Sequence, residues 1–216
     1  QRKICIRNRL KTSHMKNNAL MQVFIIYLRY LIGFSFIFAS LVKIQGLRFT
    51  AESGAENPIG SAFHFFETLY ESGIYWRFLG LAQFITGTLL MTQRFAKLGA
   101  ILFLPIIANV FVITISYDFG GTRIIAGLML ISTLFLLYWD WDSLKILFNR
   151  TPTNSTKKRL EHDKIWIYLG FVFLIITVFS KFLIDNENIL FSFLAMFVMG
   201  IVGLFIGNNI RKLYID

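Results

Sequence analysis

The sequence contains few of the residues that soluble enzymes and metalloproteins rely on. Among its 216 residues there is a single cysteine, Cys5, with three prolines and three histidines. One cysteine cannot form an intramolecular disulfide, and it excludes metal sites built from cysteine clusters. The scarcity of proline, together with only 15 glycines, argues against a disordered chain.

The long apolar runs of the chain also lack histidine, cysteine, aspartate and glutamate. Without them there is no ordinary axial ligand pair for haem, and no carboxylate relay of the kind that proton-coupled transporters use. No region combines a nucleophile, a base and an orienting group. The sequence therefore favours a protein without a self-contained catalytic site and leaves enzymatic activity open. We expect no haem, Fe–S cluster or structural zinc, and any redox role would need a bound quinone or a partner's cofactor.

Apolar side chains make up most of what is present. They account for 56% of the chain, which includes 24 phenylalanines, whereas soluble domains hold about 45–50%. A run of about 20 helical residues spans a hydrocarbon core of about 30 Å. Six runs reach that scale: residues 20–42, 74–91, 96–116, 123–139, 164–184 and 189–207. The sequence thus predicts an all-α, multi-pass transmembrane helical bundle with six spans.

Polar and apolar segments alternate in a way that predicts five regions. They are a basic tail (1–19), a four-span bundle (20–142), a linker (143–163), a two-span hairpin (164–208) and a second tail (209–216). Met15 would make an ordinary translation start, so residues 1–14 are interpreted as upstream sequence. Between the first two spans, a short helix is expected over 62–72, with Ser61 as its cap.

The net charge of +10 is distributed unevenly about the predicted spans. Of the 22 lysines and arginines, 16 fall in the tails and in alternate connections, five lie on the other side, and Arg29 lies within a span. The positive-inside rule then places both termini in the cytoplasm, which fits a bacterial inner-membrane protein. The basic face should attract anionic lipid. No motif for nucleic-acid binding accompanies the charge, so nucleic acid is not an expected partner.

Arg29 is the costliest residue to place in the predicted bundle. A mid-bilayer arginine costs on the order of 3 kcal/mol or more, so it should face the bundle interior or snorkel to the surface. Gly33, Ser40 and Lys43 follow it on one helical stripe, and the small residues suit close helix contact. Gln83 of the second span falls at a similar depth and could accept its hydrogen bond. Two interpretations remain open: Arg29 orients the helix, or it is a buried cation for an anionic or quinone-like ligand.

A second polar point lies in the third span, where Asn109 follows Pro105 by one turn. Its amide needs a partner in lipid surroundings, either a neighbouring helix or a ligand. The candidate ligand-binding residues are therefore Arg29, Gly33, Ser40, Lys43, Gln83 and Asn109.

Two weaker patterns point to a metal site and to self-association. His64, Glu67 and Glu71 share one face of the short helix, which is compatible with a divalent metal, although such acids more often face solvent or pair with a cation such as Lys43. Gly203 and Gly207 form a GxxxG pattern that can drive helix pairing between copies of a chain.

Several of these features together resemble the DoxX-like family of small bacterial four-helix membrane proteins, over about residues 25–142. The resemblance is carried by segments 29–34, 39–46, 78–83 with Gly87, 94–100, and Pro105 with Asn109. It implies that Arg29, Gly33, Lys43, Gly46 and Asn109 belong to recurring positions. The family is named for a subunit of a thiosulfate:quinone oxidoreductase, although most members have no assigned activity. The last two predicted spans lie outside the four-helix pattern.

The function favoured by the sequence is binding of a hydrophobic or quinone-type ligand, or service as the membrane subunit of a redox complex. The expected partners are the lipid bilayer and a membrane or periplasmic redox protein. The alternatives are a small-solute transporter or channel, which would use the polar stripe as a pathway, and a purely structural membrane subunit.

Overall fold

The computed structural model describes residues 18–50, 53–151, 159–183, 197–198 and 200–205. All regular structure in these ranges is helical, as predicted. The helices are α1 (Ala19–Ile44), α2 (Ala62–Glu71), α3 (Ile74–Met91), α4 (Ala96–Ser116), α5 (Thr122–Trp139), α6 (Trp141–Leu144) and α7 (Lys164–Leu183). Short 3-10 turns occupy Lys145–Phe148 and Leu160–His162. Residues 197–198 and 200–205 are also helical and are called the C-terminal helical segment below.

Four of the described helices, α1, α4, α5 and α7, are long and apolar enough to cross a membrane. This is compatible with a membrane protein. Helix α3, predicted as the second span, has 18 residues but is not among the four, because Arg77 and Gln83 lower its apolar character. Most of the predicted sixth span, Met15, residues 1–17 of the first tail and the whole second tail lie outside the described residues.

Helix α1 lies at the centre of the bundle and packs most extensively against α3. Glycines bring the two antiparallel helices together at two points. A Cβ placed on Gly33 would lie 2.8 Å from the carbonyl oxygen of Gly87, and one on Gly80 would lie 2.9 Å from that of Ser40. Such distances leave no room for a side chain, so the predicted role of Gly33 and Ser40 in close helix contact is confirmed.

Helices α3, α4 and α5 follow one another as antiparallel neighbours joined by short turns, as the brevity of the connections predicts. The α3–α4 turn bends through Gln93, whose φ is 56°. Helix α4 continues through Pro105 without interruption. Its Phe103 packs on Phe36 of α1 with ring centroids 4.1 Å apart, which fills the core between α1, α4 and α5.

Helix α7 was expected to belong to a separate hairpin, but it packs into the same core. Its Trp166 and Phe173 are buried with Ile26, Tyr30 and Met91 in one cluster formed with α1 and α3. Buried apolar side chains of α1 belong to two clusters, one shared mainly with α4 and α5 and the other shared with α3 and α7. The four-span bundle and α7 are therefore one packed unit.

The short helix α2 forms as predicted and covers one end of the bundle, called the α2 end below. The Ser61 side chain accepts a hydrogen bond from the His64 N–H at 3.2 Å, which is an N-cap. Phe63 and Phe66 pack against Phe119 of the α4–α5 connection. Trp76, in the first turn of α3, is 1% exposed, and its indole N–H donates to the Leu47 carbonyl at 2.9 Å.

Candidate functional site

The end of the bundle opposite α2 contains a buried cluster of ionised side chains around Arg29. The Arg29 guanidinium donates to Asp140 and to Glu161 at 2.7 Å each, and to the Gln93 side-chain oxygen at 3.1 Å. Arg159 donates to the other oxygen of each carboxylate, at 2.9 Å for Asp140 and 3.2 Å for Glu161. We call Arg29, Gln93, Asp140, Arg159 and Glu161 the arginine cluster.

The charges in the arginine cluster balance, because two guanidinium groups face two carboxylates. Arg29 is only 1% exposed, so each charge depends on its partners rather than on water. Burial acts to raise the pKa of Glu161, but the positive charges of Arg29 and Arg159 outweigh it and hold that pKa below its ordinary value. Glu161 is therefore ionised at neutral pH, and its salt bridges to Arg29 and Arg159 make it part of an ion-pair network.

Four separate segments of the chain meet in the arginine cluster. Asp140 directly follows α5, Gln93 lies in the α3–α4 turn, and Glu161 lies in the 3-10 turn before α7. The turn before α7 is also held by the Leu160 N–H, which donates to Gln22 of α1 at 2.8 Å. The cluster thus connects α7 to the four preceding long helices at one point.

Sequence reasoning placed Arg29 correctly inside the bundle but gave it the wrong partner. The expected acceptor, the Gln83 side-chain oxygen, is buried and has no hydrogen-bond partner among the described residues. Helix depth does not identify Asp140, Glu161 and Arg159 as partners, because all three lie outside the predicted spans. One signal could have found them: both acids lie at ends of predicted spans on the same side as the start of α1.

Lys43 is the second buried cation of α1, and it lies at the α2 end. Its ammonium donates to the Ala39 carbonyl at 3.0 Å and lies over the rings of Phe49 at 4.9 Å and Trp76 at 5.1 Å. No ion pair joins it to a carboxylate of the described residues. Aromatic faces compensate a desolvated ammonium only in part, so this cation is held by weaker contacts than Arg29.

The remaining predicted ligand-binding residues do not gather in one place. Gly33 and Ser40 lie in the α1–α3 contact, and the Ser40 hydroxyl donates to the Ile37 carbonyl at 2.6 Å. Asn109 lies on the exposed face of α4, and its side chain forms no hydrogen bond within the described part of the chain. The six candidates therefore do not form a common site.

The proposed metal site is not formed by His64, Glu67 and Glu71. Glu67 is turned inward, where it pairs with Arg48 at 2.8 Å and accepts from the Gly54 N–H at 3.0 Å. These contacts, the backbone hydrogen bond first, lower the pKa of Glu67. Over the described ranges, no three histidine, cysteine or acidic side chains are grouped closely enough to hold a metal ion.

An apolar groove of about 340 Å³ lies between α1, α7 and the C-terminal helical segment. We call it the aromatic groove; it is lined by Tyr27, Tyr30, Leu31 and Phe34 of α1, by Phe173 of α7 and by the C-terminal helical segment. The two tyrosine hydroxyls are already engaged, with the carbonyls of Gly200 and Trp166. The groove therefore presents aromatic rings and aliphatic side chains to a ligand.

Gly203, predicted to pair copies of the chain, is used within the chain. A Cβ at this position would lie 2.5 Å from Leu169 Cδ2 and 3.0 Å from the Tyr27 hydroxyl. Its small size thus lets the C-terminal helical segment approach α1 and α7 and close one side of the aromatic groove. Gly207 lies outside the described residues.

The chain is similar to the uncharacterized protein YwoB of Bacillus subtilis (strain 168), with 28% identity over 129 residues. The match covers 59% of this chain and 83% of that protein. No protein-family model matches the chain. No solved structure matches it either.

Proposed function

We propose that this chain is a DoxX-like multi-pass protein of the bacterial cytoplasmic membrane that binds a hydrophobic ligand in the aromatic groove. In this proposal the chain has six spans and both termini lie in the cytoplasm. Four long apolar helices and the uneven distribution of lysine and arginine support this arrangement. The ligand is a lipid or a quinone, recognised through its chain or ring.

The observation that carries the proposal is the character of the aromatic groove. Ligand pockets are typically about 300–1,000 Å³ and are mostly apolar with aromatic lining, and the groove has these properties at about 340 Å³. Because both tyrosine hydroxyls are engaged, the groove offers little to a polar headgroup. It therefore fits an acyl or isoprenoid chain better than a charged solute.

A redox role follows if the ligand is a quinone. The predicted spans contain no histidine or cysteine to hold a cofactor, so electrons would reach the quinone from a partner protein. The chain would then be the membrane subunit that holds the quinone, and a partner would carry out the oxidation.

The experiment is mass spectrometry of organic extracts from the gently purified full chain. The variant Leu31→Trp replaces an aliphatic side chain that lines the groove with a bulky indole ring, which should obstruct the ligand. Leu31 is 59% exposed. Leu128→Trp is the matched control, because Leu128 is 60% exposed on α5 and lies outside the groove. We expect one enriched hydrophobic compound in the wild type and in Leu128→Trp, and its loss from Leu31→Trp.

The identity of that compound separates the two forms of the proposal. An enriched quinone, together with a co-purified partner chain, supports the redox-subunit form, and an enriched lipid supports simple lipid binding. Extracts that match the bulk membrane composition, or full retention of the compound by Leu31→Trp, would overturn the assignment of the groove.

A further inference from the structure

A second cavity, of about 460 Å³, lies at the α2 end of the bundle and differs in character from the aromatic groove. It is formed where α1 ends, α2 ends and α3 begins. The residues that matter for its chemistry are Gly46, Tyr70, Glu71, Trp76 and Arg77. This cavity, called the outer cavity below, thus contains both an acidic and a basic side chain.

Two walls of the outer cavity are fixed by contacts outside it. Trp76 is buried, and its indole N–H is tied to the Leu47 carbonyl. The Tyr70 ring lies 4.8 Å beneath the guanidinium carbon of Arg48, which is itself paired with Glu67. The cavity therefore has preorganised walls rather than a surface of independent side chains.

The two charged residues of the outer cavity are not paired. Glu71 and Arg77 form no ion pair with each other, and neither makes a side-chain hydrogen bond to any residue that the structure describes. Their neighbour Glu67 behaves differently, because Arg48 neutralises it within the chain. A cavity lined by an acidic and a basic side chain that do not pair with each other is complementary to a ligand that carries a positive and a negative charge.

Gly46 brings the Arg77 guanidinium against the backbone. Its φ is +70°, and a Cβ placed on it would lie 3.2 Å from Arg77 Nη2. A larger residue there would be strained and would displace the guanidinium. Because Gly46 has no side chain, the cavity stays open and the Arg77 guanidinium can lie against the backbone.

We propose that the outer cavity binds a zwitterionic group with a phosphate and a primary ammonium. Arg77 contacts the phosphate, because a guanidinium matches phosphate oxygens in a two-pronged arrangement. Glu71 accepts the hydrogen bonds of the ammonium, and the Tyr70 ring covers its alkyl link. This pairing of roles requires both signs of charge on one ligand, so neither a simple anion nor a simple cation satisfies the site.

The surroundings of the outer cavity fit the headgroup of a membrane lipid. Ile74 lines the cavity and is 87% exposed, and the adjacent Tyr75 is 51% exposed. The boundary between hydrocarbon and water favours this combination, in which exposed apolar side chains lie beside unpaired charges. A free phosphorylated amine shares the same chemistry, and the experiment separates the two sources.

The test is native mass spectrometry of the full chain in detergent with defined phospholipids. Phosphatidylethanolamine carries both charges, whereas phosphatidylglycerol lacks the ammonium. We expect the wild type to retain phosphatidylethanolamine in preference to phosphatidylglycerol. Arg77→Gln should weaken binding of both lipids, and Glu71→Gln should lower the preference for phosphatidylethanolamine by about tenfold, which is the scale of one charge-assisted hydrogen bond.

Matched controls come from charged residues outside the outer cavity. Glu56→Gln and Arg94→Gln remove exposed charges elsewhere and should leave the lipid preference unchanged. All four substituted positions are exposed, and the melting temperature of each variant verifies that it folds as the wild type does.

Competition with soluble phosphorylethanolamine identifies the source of the ligand. Displacement of the bound lipid by this compound supports a headgroup site. Binding of the compound without any lipid preference supports the same chemistry with a free ligand. The proposal is overturned if the wild type binds neither probe selectively, or if Glu71→Gln and Arg77→Gln bind both probes as the wild type does.

Discussion

Arg29 and Lys43 are both buried cations of α1, but the chain stabilises them in different ways. Arg29 is bound by two carboxylates and an amide oxygen from three other segments. Lys43 has a carbonyl of its own helix and two aromatic faces. The planar guanidinium can engage several acceptors at once, whereas the ammonium is a compact charge that aromatic rings can accommodate.

The two ends of α1 therefore differ in how their charged groups are compensated. At the arginine cluster, every ionised group has an ionised partner, and four segments are joined. At the α2 end, Lys43 lacks an acidic partner, and Glu71 and Arg77 are unpaired among the described residues. Paired buried charges are therefore concentrated at one end of α1, and the charged groups that have no ionised partner among the described residues lie at the other.

Among the substitutions considered for α1 and its partners, Arg29→Ala should lower the free energy of unfolding most. The substitution leaves two buried carboxylates with Arg159 alone, and removing one partner of a buried ion pair costs about 3–5 kcal/mol. We expect a loss of that size in the free energy of unfolding, measured by denaturant titration of the detergent-solubilised chain. Arg94→Ala removes an exposed arginine and is the control. Equal stability of the two variants would show that the cluster contributes nothing.

A smaller effect is expected from acidification. The pKa of Glu161 is lowered in the folded chain, so its contribution to stability is complete above its ordinary pKa of 4.5 and is lost as the pH falls through the lowered value. The melting temperature should therefore decline below about pH 4.5. In Glu161→Gln this decline should be shallower, although the variant starts from a lower stability at neutral pH. Parallel pH profiles for both proteins would contradict the assignment.

The smallest effect is expected from Lys43→Met. Methionine keeps the length of the side chain and removes a charge that has no acidic partner among the described residues. Apolar replacements of similar volume change the free energy of unfolding by about 1 kcal/mol or less. The variant also avoids the free-energy cost of removing the lysine ammonium from water, and this favours its folded state. The same unfolding titration measures it. A loss as large as that of Arg29→Ala would mean that the two cations are held equally.

The sequence could predict the helices and the closest helix contact, because both depend on local pattern. Gly33 and Ser40 were placed in a close interface from size and spacing alone, and Ser61 was identified as a cap. Asp140 and Glu161 could not be paired with Arg29 in the same way. They are more than 100 residues distant in sequence, and their approach depends on how the α5 end and the turn before α7 fold back over α1.

The aromatic groove could not be predicted from the sequence either. Its walls come from α1, α7 and the C-terminal helical segment, and the sequence pattern pointed to a separate hairpin rather than to α7 packed on α1. Gly203 illustrates the problem, because a small residue in an apolar run predicts close packing but does not identify the partner helix. Only the packed arrangement shows that its partners are Leu169 and Tyr27.

The most direct test of the account is a double-mutant cycle between Arg29 and Glu161, with each residue replaced by alanine singly and together. The free energy of unfolding is measured for all four proteins under one set of conditions. Residues in one ion-pair network show interaction energies of about 0.5–3 kcal/mol, whereas independent sites add to within about 0.3–0.5 kcal/mol. We predict a coupling energy above 1 kcal/mol, on the order expected for directly paired charges. Simple additivity would contradict the claim that Arg29 and Glu161 hold α7 against the rest of the bundle.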